Sequence, residues 1–138
     1  MTLSSPYSSD DIIFTYTRAD ALQDGVLVEL PGDLCRNAGI IVSVAVTRAI
    51  WDEYISPEYL SELADQDVPG RIWDLLWMFS YAARQSRNTS IVFFKTEFVI
   101  LDDENHACSS RTLATFKAIC GPGDEGEPVI TIMLPEED

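Results

Sequence analysis

Residues 71–86, near the middle of the chain, have the strongest hydrophobic pattern in the sequence. Their apolar side chains recur three and four residues apart, which is the spacing of one face of an α-helix. These residues are Ile72, Leu75, Leu76, Phe79, Ala82 and Ala83. A second stripe, Trp73, Trp77 and Tyr81, lies beside the first at i+4 spacing. The pattern predicts one long central helix at about residues 70–86, covered on more than one side.

Beyond residue 90 the pattern becomes that of β-strands. Ile91–Leu101 is rich in β-branched and aromatic residues, Arg111–Cys120 alternates over a similar length, and Val129–Leu134 is again apolar. A polar stretch at 102–110 and a glycine-rich stretch at 121–127 separate the three runs. Three strands joined by two turns predict a C-terminal antiparallel three-stranded meander.

The N-terminal half predicts several short elements. Thr17, with Asp20 three residues later, forms a capping box for a helix that Gly25 ends. Short strands are predicted at Val26–Glu29 and Ile40–Ala45, and short helices are predicted to begin at Asp33, Thr47 and Ser56. Short helices and strands, one long helix and a terminal meander predict an α+β fold, with the long helix on one face of the sheet.

The chain length of 138 residues predicts one domain. We expect residues 1–11, rich in Ser, Pro and Asp, to form a flexible N-terminal tail and residues 12–138 to form the single α+β domain. Three cysteines without a Cys-x-x-Cys pair indicate a reducing compartment. No apolar run reaches the ~18–20 residues that cross a bilayer, and the N-terminus has no signal-peptide pattern. We therefore expect a cytoplasmic protein.

The charge balance is the most unusual bulk property of the sequence. Twenty-three Asp and Glu residues face nine Lys and Arg, which gives a net charge of −14. A field of this size repels nucleic acid and anionic lipid and attracts basic surfaces. We therefore expect no direct contact with nucleic acid or membranes. The predicted partner is a basic protein, unless the charge serves solubility alone.

Four segments of the chain resemble the signature blocks of a known family. They are YTRADALQDGVLV, VAVTRAIWDEY, GRIWDLLWM and FKAICGPGDEGEPVITIMLPEED. The family they resemble consists of small acidic proteins of unknown function, encoded mainly on bacterial plasmids, integrative elements and phages. The resemblance implies an accessory gene of a mobile genetic element, and it carries over no activity and no catalytic residue.

No catalytic or metal-binding set stands out in the sequence. The single histidine, His106, shares a polar turn with Cys108, but no second pair of ligands has the spacing of a zinc site. The neighbouring acids do not match the pattern of an EF-hand loop. The glycine-rich stretch 121–127 lacks the Lys-Ser/Thr pair of a phosphate-binding loop. We therefore predict no metal, no cofactor and no enzymatic activity.

The leading hypothesis is a non-enzymatic acidic binding protein whose carboxylates engage a basic host protein. As a counter-defence inhibitor it would mimic nucleic-acid charge, and its target would be a defence protein that normally binds nucleic acid. The predicted partner-binding acids cluster at the turns and the tail of the meander. They are Asp102, Asp103, Glu104, Asp124, Glu125, Glu127, Glu136, Glu137 and Asp138.

Two alternative hypotheses use other residues. A protein that binds or sequesters a small anionic ligand or a nucleotide would use arginine and aromatic side chains. The candidates are Arg18, Arg48, Arg71, Trp73, Trp77 and Tyr81. The simpler interpretation pairs Arg48 with Asp52 and Arg71 with Asp74, and places the aromatic stripe in the core or in a dimer interface. The other alternative is a structural or regulatory homodimer built on the long helix.

Overall fold

The structure, a computed structural model, describes residues 15–86, 88–101 and 109–138. Within these ranges the helices are α1 (Arg18–Asp24), α2 (Gly32–Asn37), α3 (Arg48–Ile50) and α4 (Val68–Gln85). Helix α3 continues as a π-helical turn, Trp51–Ile55, and a 3₁₀ turn, Glu58–Glu62, follows it. The strands are β1 (Leu27–Glu29), β2 (Ser43–Thr47), β3 (Ile91–Leu101), β4 (Ser109–Pro122) and β5 (Pro128–Met133). The predicted tail, 1–11, lies outside the described residues.

All five strands form one mixed sheet in the order β1-β2-β5-β4-β3. Strand β5 pairs antiparallel with β4 but parallel with β2, and β2 pairs antiparallel with β1. The predicted α+β fold with a separate three-stranded meander was therefore wrong. The C-terminal strands continue a sheet that the N-terminal half begins, and α4 is the one long helix among the described residues.

Burial of strand β2 explains why the structure has one mixed sheet and not a separate meander. Its middle residues, Val44, Ala45 and Val46, have no solvent exposure, so both faces of the strand are covered. An uninterrupted apolar run of this kind is typical of a strand inside a sheet with a parallel neighbour, whereas a strand with one solvated face alternates. Val44 lies opposite Ile130. This pairing with β2 on one side and β4 on the other places β5 in the middle of the sheet.

Helix α4 covers one face of the sheet, here called the inner face. Its buried side chains share the main core with buried residues of β3 and β4. The core includes Ile72, Leu75, Leu76 and Phe79 of the helix and Val92, Phe94, Phe98 and Phe116 of the strands. The helix begins two residues earlier than predicted because the Asp67 side chain caps it, accepting a hydrogen bond from the Gly70 amide. The prediction of a long helix here is confirmed.

Helix α1 lies against the opposite, outer face of the sheet. The predicted capping box is present, since the Thr17 hydroxyl accepts from the Asp20 amide and the Asp20 carboxylate accepts from the Thr17 amide. Gly25 ends the helix with a φ of 80°, a conformation that favours glycine. The Arg18 side chain donates to the Thr131 hydroxyl, on the side of β5 that faces away from the main core. Local chemistry fixes this helix as predicted.

The outer face of the sheet is open over β3 and β4. Along β3 the even-numbered residues from 92 to 98 are buried, and the odd-numbered residues from 91 to 97 are exposed. The antiparallel register places odd-numbered residues of β4 beside them. The surface formed in this way, here called the hairpin outer face, consists of Ile91, Phe93, Lys95, Glu97, Arg111, Leu113, Thr115, Lys117 and Ile119.

Candidate functional site

The turn between β4 and β5 carries three of the predicted partner-binding acids, and two of them are engaged within the protein. The Asp124 carboxylate accepts hydrogen bonds from the backbone amides of Arg18 and Ala19, at 2.9 and 3.0 Å. These two bonds, rather than the nearby guanidinium, are the main reason that the pKa of Asp124 is lowered. The Glu127 carboxylate accepts from the Glu125 amide at 3.0 Å. Asp124 therefore ties the turn to the first turn of α1.

Among the three C-terminal acids, one is also hydrogen-bonded within the protein and the other two are exposed. The Glu137 carboxylate accepts hydrogen bonds from the Thr47 hydroxyl and from the Leu134 amide, each at 2.8 Å. The backbone carbonyl of Glu137 accepts a further bond from the Lys117 ammonium at 2.6 Å. Glu137 thus fastens the C-terminal turn to the end of β2 and to β4. Glu136 and Asp138, on either side of it, are exposed.

The structure does not gather the nine predicted acids into one surface. The group at 124–127 and the group at 136–138 flank opposite ends of β5, whose six residues span ~20 Å. The remaining three, Asp102, Asp103 and Glu104, lie outside the described residues, as do His106 and Cys108.

Two of the three candidate arginines bind backbone carbonyls, and among the described residues none of the three has a hydrogen bond to the aromatic stripe. Arg18 donates to the Ile130 carbonyl as well as to Thr131, and burial lowers its pKa despite the acids around it. Arg48 pairs with Asp52 at 3.2 Å, as predicted, on an exposed surface. The structure therefore does not bring these groups together as an anion site.

Arg71 is the most unusual of these arginines because only 1% of its surface is exposed. It was predicted to pair with Asp74, but its guanidinium instead donates to the carbonyls of Tyr54 and Val99. It also lies over the Phe98 ring, 5.4 Å from the centroid. Burial raises the pKa of Asp74, and the charge of Arg71 only partly opposes that rise. Arg71 thus links the π-helical turn to β3 through buried hydrogen bonds.

The aromatic stripe of α4 lies partly at the surface. Trp73 and Trp77 stack with their ring centroids 5.6 Å apart. Trp73 is half-buried, whereas Trp77 and Tyr81 are 48% and 56% exposed. The interpretation of the stripe as core residues thus fits Trp73 alone.

A further concentration of exposed acids lies where the predicted list had no member. Residues 48–67, here called the acidic segment, contain six carboxylates and a single base, Arg48. The six are Asp52, Glu53, Glu58, Glu62, Asp65 and Asp67, and all six are exposed. The sequence signal was available, because no Lys or Arg occurs between Ala49 and Gly70. It was missed because the candidates were chosen at strand turns.

The C-terminal turn extends the negative field of the acidic segment. The pKa of the Tyr54 hydroxyl is raised, first by burial and then by the charges of Glu53 and Glu136. One of the predicted acids, Glu136, thus contributes to the negative potential at Tyr54 of the acidic segment.

A cavity of about 820 Å³ opens on the outer face between α1, the start of α3 and the C-terminal turn. Its charged side chains are Asp24, Arg48, Glu137 and Asp138. Three of the four have partners: Asp24 accepts from the Tyr16 hydroxyl at 2.8 Å, and Arg48 and Glu137 make the contacts described above. One arginine among three carboxylates gives no cradle for an anion.

Comparison with known proteins places the chain without assigning an activity. A family model described as a family of unknown function (DUF6573) matches residues 3–138. No curated protein and no solved structure matches the chain. Within the described ranges, no group of three or more His, Cys, Asp and Glu residues is placed to hold a metal ion. No helix in that part of the chain is both long and apolar enough to cross a membrane.

Proposed function

We propose that this chain, which belongs to the DUF6573 family of unknown function, is a non-enzymatic binding protein that engages a basic partner through its acidic segment. The observation that carries the proposal is the exposed charge of residues 48–67, where six carboxylates face one base. Arg48 is already paired with Asp52, so most of this charge has no counter-charge on the segment.

A basic groove provides the matching chemistry. Proteins that bind nucleic acid neutralise phosphates with Lys and Arg, and the counterions released on binding supply much of the affinity. A folded surface with closely spaced carboxylates competes for the same groove by the same mechanism. The resemblance to proteins of plasmids, integrative elements and phages favours a nucleic-acid-binding defence protein of the host as the target. In that role the protein is a counter-defence inhibitor that acts in the cytoplasm.

The first experiment identifies the partner by its dependence on salt. The immobilised full-length chain is exposed to a lysate of the native host at low salt, and bound proteins are eluted by raising the salt. We expect a basic nucleic-acid-binding protein in the eluate. Its purified form should bind at least about tenfold more weakly at 200 mM than at 50 mM salt, because several charges are neutralised on binding.

The second experiment locates the binding surface with charge-matched variants. Glu58→Lys with Asp65→Lys changes the net charge by +4, from −14 to −10, within the acidic segment. Asp33→Lys with Glu125→Lys makes the same change at exposed positions elsewhere. We expect the first pair to weaken binding at least about tenfold and the second pair less than about threefold, because opposed local charges dominate at close range.

Two results would contradict the proposal. Binding that does not change with salt would exclude a charge-based contact. Equal losses for the two variant pairs would show that the overall charge, and not the acidic segment, attracts the partner. Circular dichroism of each variant confirms that the fold is retained.

A further inference from the structure

Strand β3 is an edge of the sheet, and its outer row of backbone groups pairs with no strand of the described residues. The side from which these groups point follows from one bond. The Cys120 amide donates to the Ser90 carbonyl at 2.8 Å, and the β3–β4 register places these residues opposite each other. Bonded pairs recur at every second residue of an antiparallel pair. Even-numbered residues of β3 therefore bond to β4, and odd-numbered residues present their N–H and C=O groups at the free edge.

This edge has the features that lead strands to pair with other chains. It is eleven residues long, it contains no proline, and it is rich in β-branched and aromatic side chains. Proteins usually shorten, cover or interrupt such an edge. Here one end is covered, since Arg71 occupies the Val99 carbonyl. At the other end the Thr89 hydroxyl bonds to both the amide and the carbonyl of Ile91. Between residues 93 and 97, the described part of the chain shows no bond to an outward-directed group of β3.

The middle of the edge opens into a small cavity of about 270 Å³. It is lined by Asp74, Trp77, Met78, Thr96, Glu97 and Arg111. Trp77 and Met78 belong to α4, on the inner face, whereas Glu97 and Arg111 belong to the hairpin outer face. The cavity therefore wraps around the edge at Thr96 and Glu97, and exposed apolar side chains of α4 overhang it.

We propose that a second copy of this chain occupies the edge, with β3 pairing antiparallel to its own counterpart about a twofold axis at Thr96. In this register Lys95 lies opposite Glu97 of the second copy, and Glu97 lies opposite its Lys95. Both are odd-numbered residues, so their outward N–H and C=O groups form the bonded pairs. The axis is perpendicular to the sheet, so the two sheets become one and both α4 helices lie on the same face.

Charge selects this register over its neighbours. Lys95 is exposed and has no hydrogen-bond or ion-pair partner among the described residues. Glu97 is bound by Arg111 at 3.1 Å on an exposed surface and retains capacity for a second cation. An axis one residue earlier or later would place Lys95 opposite Lys95, or Glu97 opposite Glu97, and like charges directly opposite each other destabilise a pair of strands.

The Thr96 side chain provides an independent argument for the same axis. Only 2% of Thr96 is exposed, and its hydroxyl has no hydrogen-bond partner among the described residues. A buried hydroxyl without a partner is unfavourable. On the proposed axis the two threonines form a non-hydrogen-bonded pair, in which opposite side chains come closest. One Thr96 hydroxyl can then donate to the other, as cross-strand threonines commonly do.

Charge exchange tests the register. Sedimentation of the full-length wild-type protein between about 1 and 100 µM should show a reversible dimer, in the affinity range of modest interfaces. Lys95→Glu and Glu97→Lys should each raise the dimer dissociation constant at least about tenfold, because each creates like-charge pairs. The double variant should recover most of the affinity. Arg36→Glu, with the same charge change on exposed α2, should leave the constant within about twofold.

A disulfide test covers the case in which a charge variant fails to fold. Thr96→Cys, in a chain whose Cys108 and Cys120 are replaced by serine, should form a covalent dimer on mild oxidation, since opposed residues of such a pair have disulfide spacing. Thr115→Cys in β4, one strand away from the edge, should not. A wild-type monomer at 100 µM, failure of the double variant to recover, or equal cross-linking at both positions would overturn the proposal.

Discussion

The acidic segment and the hairpin outer face carry opposite charge within one small protein. The segment has six carboxylates and one base, whereas the hairpin outer face has Lys95, Arg111 and Lys117 against a single acid, Glu97. Both lysines of the chain thus lie on one surface of a protein whose net charge is −14. Net charge describes a chain as a whole, but a partner meets a local surface.

The backbone explains why the two surfaces differ in character. The acidic segment consists of short helical turns anchored by buried apolar residues such as Ile50, Ile55 and Leu60. Its charged side chains point to solvent between these anchors. The hairpin outer face is one side of two long strands, and Phe93 and Leu113 remain 59% and 60% exposed there. The first surface suits salt-dependent contact, and the second, with its mixture of apolar and basic groups, suits close packing.

Arg71 joins these two regions, and its replacement should have the largest effect on stability. Arg71→Met keeps much of the side-chain volume but leaves the carbonyls of Tyr54 and Val99 without their buried donor. An unsatisfied buried group costs about 1–3 kcal/mol, so we expect the free energy of unfolding to fall by about 2–4 kcal/mol in urea denaturation. Arg84→Met, at an exposed position of the same helix, should change it by less than about 0.5 kcal/mol.

The outcome for Arg71 bears directly on the comparison of the two regions. If Arg71→Met were as stable as the wild-type protein, apolar packing would suffice between the π-helical turn and β3. The guanidinium would then have no structural role, and its burial would have to be explained by another function. Retained stability in Arg71→Lys would show that an ammonium can replace the guanidinium as the donor to these carbonyls.

Glu137 connects the C-terminal turn to the end of β2 and to Lys117 of the hairpin outer face, and its replacement should have a smaller effect. Glu137→Ala removes the acceptor for the Thr47 hydroxyl and the Leu134 amide, which are half-buried rather than fully buried. We expect a loss of about 1–2 kcal/mol in the free energy of unfolding. Glu136→Ala, at the exposed neighbouring position, should lose less than about 0.5 kcal/mol. Equal losses for the two variants would mean that Glu137 acts through its charge alone.

Sequence reasoning succeeded where the determining interactions are local. The capping box of Thr17 and Asp20 and the stop at Gly25 involve residues within one short helix, and the structure matches them. The position of β2 depends on a parallel pairing with β5, 86 residues later in the chain, and no turn signals such a pairing. A charged arginine is expected to find a carboxylate, but Arg71 found two carbonyls because the tertiary fold brings the Tyr54 and Val99 carbonyls to it.

The candidate site was only partly predictable for a related reason. Acids at strand turns attract attention, but turns are also where carboxylates cap backbone amides. Asp124 and Glu137 proved to be acids of this kind. The acids at 52–67 were visible in the sequence as a run without bases, and only the structure shows that apolar residues between them are buried. The role of an acid thus depends on whether backbone donors lie within its reach.

Asp124 offers the last test, with the smallest expected effect. Unlike the exposed acids of the acidic segment, this acid stabilises the fold. Its folded-state pKa is lowered by the Ala19 and Arg18 amides, so the ionised form is the one that stabilises α1. This contribution is present in full above the ordinary aspartate pKa of 3.8. It is lost as the pH falls from there through the lowered folded-state pKa.

Melting temperatures recorded from pH 7 to pH 2 should therefore converge for the wild-type protein and Asp124→Asn at the acid end, with the wild type more stable above pH 4. Glu125→Gln in the same turn, whose carboxylate accepts no hydrogen bond within the described residues, should run parallel to the wild type throughout. A constant difference for Asp124→Asn at every pH would show that the amide bonds to Asp124 do not depend on its charge.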